Sequence, residues 1–360
     1  MIAHAASDDS NAAIKALRDA RFPLANDHDL APLIDRIGQA RYVLLGAASH
    51  GTDEYHRWRQ RVTQQLVRRK HFNVIAIEGS WSACRQIDQF IAGAMMGGDD
   101  RPSVLQRFNR WPAWMWANAS VPPSVEWLRN YNGEASADRR VSVYGLDLFE
   151  LWDSLQAIIE HLDRAKSPAL DAARQAYRCF EPFENVAQYA RAPAWLPSEC
   201  EEAIVELLTT LHREALALSD RDDEFHCREY EAAVEHAERY YRELIRGSAR
   251  SWNVREMHMA ETLRRIVEHH GPDAKVVIWE HNSHVGDARA TDMARAGMVN
   301  LGQLLRMQNA ANEVLLVGFA SYHGSVLAAR EWGSQPECMT MPAAEPDSWE
   351  DLMHRIDGRS

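Results

Sequence analysis

Four stretches of this sequence end in side chains that can exchange protons. They are Ala47-Ala-Ser-His50-Gly-Thr-Asp-Glu54, Glu78-Gly-Ser-Trp81, Leu146-Asp147 and Glu280-His281-Asn-Ser-His284. A histidine beside glutamates and two further histidines supplies a base, a group to orient it, and donors for a developing oxyanion. That is the equipment of a hydrolase. Three readings share it: His50 as a general base activating water, a metal site drawn from His50, His281, His284, Glu78 and Asp287, or a structural polar cluster without turnover. The spacing His281-x-x-His284-x-x-Asp287 offers imidazole and carboxylate ligands suited to zinc or iron. It lacks a helical HExxH, and the expectation is no metal and no cofactor. There is no GxSxG elbow for a serine nucleophile, although Ser49 and Ser283 flank histidines. Cys84 reads as buried in the helix after a strand. No GxGxxG or GxxxxGK[ST] loop offers a phosphate cradle.

These residues need elements to hold them. Apolar runs at Tyr42–Gly46, Phe72–Ile77, Val141–Gly145, Val276–Trp279, Val314–Phe319 and Ser325–Ala328 read as strands. Most of the first four are continuous rather than alternating, as in a largely parallel sheet covered on both faces. Residues 53 to 70 place Tyr55, Trp58, Val62, Leu66 and Val67 at helical spacing, joining the first two strands as a βαβ unit. Residues 151 to 270 read as almost wholly helical, with charged faces at Glu199–Glu206, Arg213–Arg228 and Glu229–Arg246 and breaks at Pro182, Pro193 and Pro197. The expected fold is α/β, a largely parallel central sheet flanked by helices, with a large helical insertion. Residues 1–150 would form the first part of the core, 151–270 the insertion or lid, and 271–360 the second part, in one interwoven unit. Ligands of such sheets bind beyond the carboxyl ends of the strands, where all four titratable stretches fall. Five of the twelve tryptophans, Trp81, Trp111, Trp114, Trp116 and Trp127, lie between residues 81 and 127, forming a core layer or a pocket wall.

The 360 residues carry 46% hydrophobic and 26% charged side chains, enough for a sizeable core. A formal net charge of -12 repels phosphate backbones and anionic headgroups, so neither nucleic acid nor a membrane is an expected partner. Five well-separated cysteines, Cys84, Cys179, Cys200, Cys227 and Cys338, fit a reducing compartment. The longest stretch without a charged side chain, Val314 to Ala329, is sixteen residues, short of a bilayer span. With no signal peptide at the N-terminus, a cytoplasmic location is expected. Oligomeric state is left open.

Seven blocks occur in an order that resembles the erythromycin esterase family. They are Gly46-Ala-Ala-Ser-His50-Gly-Thr-x-Glu54 with Arg59 on the next helix, Phe72-Asn-Val-Ile-Ala-Ile-Glu78, Arg110-Trp-Pro-x-Trp114-Met-Trp116, Trp127-Leu-Arg-x-Tyr-Asn132, Tyr144-Gly-Leu-Asp147, Asn253-x-Arg255-Glu-x-x-Met-Ala260, and Trp279-x-His281-Asn-x-His284-Val-Gly. The resemblance covers about residues 40 to 330. It implies metal-independent hydrolysis of an ester, with macrolide lactones the best-known substrates, so a small-molecule ester or lactone is the expected partner. By the same resemblance His50 is the catalytic histidine, with Glu78, Arg59, His281 and His284 in supporting catalytic positions. Trp81, Trp114, Trp116, Asp147 and Arg255 are candidates for substrate binding. One departure stands out: the family's first motif reads Gly-Glu-x-x-His, and Ala47 occupies the acidic position here. That change removes a carboxylate that would hold the imidazole's tautomer and its charged form. It leaves a catalytically diverged biosynthetic or ligand-binding homologue as the alternative. Glu280 would be a substitute carboxylate only if a bulge or strand end turned it and His281 to one side.

Overall fold

A computed structural model describes residues 3–94, 113–148, 151–164, 166–167, 170–180, 207, 209–210, 221–244, 248–331 and 334–356. Five strands, β1 (Tyr42–Leu45), β2 (Val74–Ser80), β3 (Ser142–Asp147), β4 (Val276–Trp279) and β5 (Val314–Val317), form one parallel sheet in the order β3-β2-β4-β1-β5. Segments on both sides of the helical region therefore contribute strands to the same sheet. In register, Leu45 lies beside Trp279 and Trp279 beside Ile77. The residues that follow each strand consequently reach one rim together.

Alternation of side chains divides the core into two layers. Leu44, Ala76, Tyr144, Leu146 and Ile278 pack against α6 (Leu151–Arg164), α8 (Arg221–Leu244), α9 (Ser248–His270) and α11 (Leu301–Gln308). Val43, Leu45, Ile75, Ile77, Val143, Val277 and Trp279 pack against α2 (Ala31–Ile37), α3 (Asp53–Lys70), α4 (Trp81–Ile91) and α5 (Pro122–Glu134). Each fully buried Leu, Ile or Val contributes about 1.5–3 kcal/mol, which is why aliphatic residues dominate the strands and charged side chains wait until their carboxyl ends.

The helix expected at 53–70 has those bounds. Asp53 and Glu54 complement its amino-terminal dipole, Arg68, Arg69 and Lys70 its carboxyl end, and His71 ends it in a left-handed conformation at φ 61°. It joins parallel strands, as expected, but β4 lies between them. The described part of 151–270 is helical, adding α7 (Leu170–Phe180) to α6, α8 and α9. Pro182, Pro193, Pro197, Glu199–Glu206 and residues 213–220 lie outside the described residues, as does Trp111. The run Ser325–Ala328 is a strand, β6 (Gly324–Ala328), yet it belongs to a separate hairpin. It pairs antiparallel with β7 (Glu337–Met341), a strand whose exposed, polar-interrupted sequence carries no apolar run. The remaining helices are α1 (Ala3–Ala20), α10 (Asn282–Val285) and α12 (Trp349–Ile356). Among the described residues no helix is long and apolar enough to cross a membrane.

Candidate active site

The loop after β1 is pinned almost residue by residue. The Gly46 N–H donates to Val317 at 2.7 Å, the Ala47 carbonyl accepts from Asn282 N–H at 2.8 Å, and the Gly51 carbonyl accepts from Leu327 N–H at 3.1 Å. The His50 carbonyl faces His56 Nε2 at 3.3 Å, and the hydroxyls of Ser49 and Thr52 meet at 2.5 Å. Gly46 is required there because a Cβ would overlap the Asn282 side chain. The loop presents the His50 ring, half-buried, 5.1 Å from the ring of His281. Burial holds the His50 imidazole below its ordinary pKa, only partly opposed by Glu78. His281 is lowered by burial in the same way. Its Nδ1 accepts the Ser283 N–H at 3.2 Å, which leaves its proton on Nε2. Among the described residues the His50 ring makes no hydrogen bond, so its lone pair is available to a water.

Behind this pair lies a buried charged network. A register shift between Ile77 and Ser80 bends β2 as it passes β3, and it needs Gly145, where a Cβ would overlap the Gly79 and Ser80 backbone. The bend delivers Glu78. Its Oε1 accepts from Arg255 Nη2 at 2.8 Å, and its Oε2 accepts from the His281 N–H at 2.8 Å. Its carbonyl accepts from Trp116 Nε1 at 2.8 Å. Arg255, on α9, grips Asp147 through Nε–Oδ1 at 2.9 Å and Nη2–Oδ2 at 2.7 Å, a forked pairing only a guanidinium makes. The two residues placed among substrate-binding candidates are thus bonded to each other. His284 is sandwiched between Glu256, bonded through Nδ1, and Glu78 Oε1, 3.3 Å from Nε2, with its ring stacked on Trp252 at 4.7 Å. Burial alone would lower its pKa, but the two carboxylates outweigh burial and push it up to about 10. The resulting imidazolium donates to Glu78 and lies beside Arg255 Nη1, 3.2 Å away, without bonding to it. Glu256 also accepts the Leu301 N–H at 2.7 Å, tying α11 into the network.

Arg59, 4% exposed on α3, sets its guanidinium 5.1 Å over the Trp279 ring, and its Nε has no hydrogen-bond partner. Burial lowers its pKa to about 10, against the pull of Glu78, and it stays a cation at neutral pH. Arg59, Arg255 and His284 thus balance Glu78, Asp147 and Glu256. Glu280 stands outside this balance. It is 1% exposed, neither carboxyl oxygen has a partner, and burial raises its pKa well above the usual carboxylate value, which favours the neutral acid. The β1–β4 ladder continues through Glu280 N–H to the Leu45 carbonyl at 3.3 Å and Asn282 N–H to the Ala47 carbonyl. Alternation then carries Glu280 to the side of Ile278 and Ala47 to the side of Leu45, so Glu280 does not stand in for a carboxylate at position 47.

The tryptophans separate. Trp116 supports Glu78 and stacks on Trp279 at 6.4 Å. Trp81 starts α4 inside the core, stacked on Tyr144 at 5.3 Å and edge-on to Phe225, while Trp114 is half-buried at the margin of the opposite layer. A largely apolar cleft lies between α3, α5 and the sheet, walled by Trp116, Trp127 and Trp279. Asp287 is claimed by Arg289, at 2.9 and 2.7 Å, and by Arg306 at 3.1 Å, and both ring nitrogens of His284 are committed to carboxylates. Among the described residues no three or more His, Cys, Asp or Glu side chains are arranged to hold a metal. Sequence reasoning did not single out Glu256 or Trp252. Glu256 had a signal, its place beside Arg255 in one of the seven blocks.

The sequence profile of the erythromycin esterase family matches residues 67–360. The chain belongs to the erythromycin esterase family. The match takes in Glu78, Asp147, Arg255, His281 and His284 and begins after the His50 loop. Among solved structures, the chain is similar to a Bacillus cereus protein (TM-score 0.76, 19% identity, 96% of this chain and 83% of that one). It is also similar to a succinoglycan biosynthesis protein (TM-score 0.72, 19% identity, 96% and 84%) and to an erythromycin esterase variant, EreC, in its open conformation (TM-score 0.69, 19% identity, 92% and 84%). At that identity the likeness is one of fold, and it extends across nearly the whole chain.

Proposed function

We propose that this erythromycin esterase family member is a metal-independent hydrolase in which His50 activates water to cleave a bulky ester or macrolactone. The observation that carries the reading is the pair of neutral imidazoles at the rim, His50 and His281, backed by a network that holds its positive charge elsewhere. In the step proposed, water attacks the acyl carbon while His50 takes its proton. Negative charge collects on the carbonyl oxygen, and the unpartnered Arg59 guanidinium and the rim histidines stabilise it. Glu78 stabilises the imidazolium that His50 becomes. Collapse expels the alkoxide, which takes the proton back, leaving an acid and an alcohol. Trp114 and Trp116 would shape the binding region and Asp147 and Arg255 would brace it, with a cytoplasmic location.

Ala47 supports a second reading, a diverged biosynthetic or ligand-binding homologue using the same pocket. The test is a paired assay of the chain and its Ala47→Glu form against macrolides and simpler lactones, following the ring-opened acid by mass spectrometry. A carboxylate that assists proton transfer raises turnover about tenfold or more. Equal or lower rates from the substituted form would remove position 47 from the mechanism, and binding without turnover by either form would favour the second reading.

A further inference from the structure

The β6–β7 hairpin stands apart from the central sheet and is mostly exposed, and a two-stranded hairpin is marginal by itself. What it touches is the His50 loop. Leu327 N–H donates to the Gly51 carbonyl at 3.1 Å, one residue after His50. Because that N–H points away from β7, the Leu327–Cys338 pair is one of the non-hydrogen-bonded pairs of the hairpin, and its outward edge is free to add the loop as a one-residue third strand. The approach is tight: a Cβ on Gly51 would overlap the Leu327 carbonyl oxygen and lie 2.7 Å from its carbon and 2.9 Å from its Cβ. The obstructing atoms are backbone, so no rotamer change relieves them. A second tie on the same side, Tyr55 Oη to Ser321 Oγ at 2.5 Å, joins α3 to the segment leading into β6.

We infer that the β6–β7 hairpin is a clamp that sets the position of His50 through the Gly51–Leu327 backbone contact, making Gly51 and Leu327 positioning residues for the proposed hydrolysis. The inference rests on His50 being the base, and its primary readout needs no substrate. It fits the other ties on the loop: β5 holds Gly46, the segment after β4 holds Ala47, and the hairpin holds Gly51, just beyond the histidine. A base misplaced by about 1 Å loses on the order of 10²-fold in rate.

The experiment is a histidine NMR titration of the full chain and three variants, Gly51→Ala, Leu327→Pro and Ser325→Pro. Gly51→Ala forces the hairpin back, while Leu327→Pro removes the donated N–H, together with a half-buried leucine side chain, on an outward edge where proline is tolerated. Ser325→Pro, two residues away with its N–H on the same edge, controls for proline in the strand. The clamp predicts that the His50 midpoint rises toward 6.5 in the first two variants and stays put in the third, with cooperative melting retained. On any ester turned over, kcat falls about tenfold or more with KM little changed. If Gly51→Ala does not fold, Leu327→Pro decides alone, and in the parent the Leu327 amide should exchange slowly with solvent. An unchanged His50 midpoint in a folded Leu327→Pro chain, or a fast-exchanging Leu327 amide, overturns the clamp. A moved midpoint without turnover of any ester would instead count against the hydrolase reading and leave the clamp standing.

Discussion

His284 and His50 are delivered to the same rim by neighbouring strands, β4 and β1, yet at neutral pH His284 is a cation and His50 is neutral. Around His284 both ring nitrogens and the groups that bracket them are engaged. Glu256 and Glu78 bracket its ring, Arg255 clamps Asp147 behind it, and Trp252 covers its face. Around His50 the backbone is tied at several points but the ring is left with its neighbour His281 alone. A base needs a free lone pair, and a pre-organised electrostatic environment needs fixed charge, so the two demands are met in adjacent regions. Glu78 links them, bonding Arg255 with one oxygen and the His281 N–H with the other.

The largest expected effect comes from the unsaturated region. His50→Ala should lower turnover of any competent ester by on the order of 10³-fold with little change in melting temperature, since general-base removal costs about 10²–10⁴. Retention of most activity would move the base elsewhere. The saturated region should respond in stability instead. Arg255→Met leaves Glu78, Asp147 and an imidazolium without their central cation, and breaking such a buried set costs about 3–5 kcal/mol, measurable as a lower urea midpoint. A loss under 1 kcal/mol would show that the network is not acting as one unit.

A pH dependence sharpens the contrast. The folded pKa of His284 is raised to about 10 from 6.5, so its stabilisation is fully present below pH 6.5 and lost as pH rises through 10. His284→Gln should therefore cost most at pH 6 and progressively less toward pH 10, followed by urea unfolding at each pH. A penalty that grows with pH would reverse the assignment. Glu280→Gln should have the smallest effect well below pH 4.5, where Glu280 is protonated in the folded and the unfolded chain alike. Above that pH the parent loses stability relative to the variant, because its folded state alone must keep the proton on Glu280.

Much of this was legible in the sequence, and the boundary has physical causes. Strands buried on both faces announce themselves as continuous apolar runs, and Glu78, Asp147, His281, His50 and His284 lie at their carboxyl ends or in the segments that follow directly. Hydrophobic periodicity set the bounds of α3. What periodicity does not encode is pairing. That Arg255 reaches across to Asp147 and Glu78 depends on where α9 crosses the sheet, more than a hundred residues away in sequence. Glu256, adjacent to Arg255, is buried at 0% exposure, which its charge alone does not announce. The strand β7 has no apolar run because it faces solvent, and the hairpin's contact with Gly51 leaves no mark in composition. Trp81 is a pocket candidate by its place in the Trp-rich segment, whereas the chain turns there into α4 and sends it into the core.

The division of charge between the two histidines is the claim on which the rest depends. It is read directly by a ¹⁵N-histidine NMR titration with His50 and His284 assigned by substitution. The account predicts a neutral His50 at pH 7, with its midpoint below 6.5, and a His284 that remains an imidazolium through pH 8 and titrates near 10. A protonated His50 at pH 7, or a His284 titrating at or below 6.5, would contradict it.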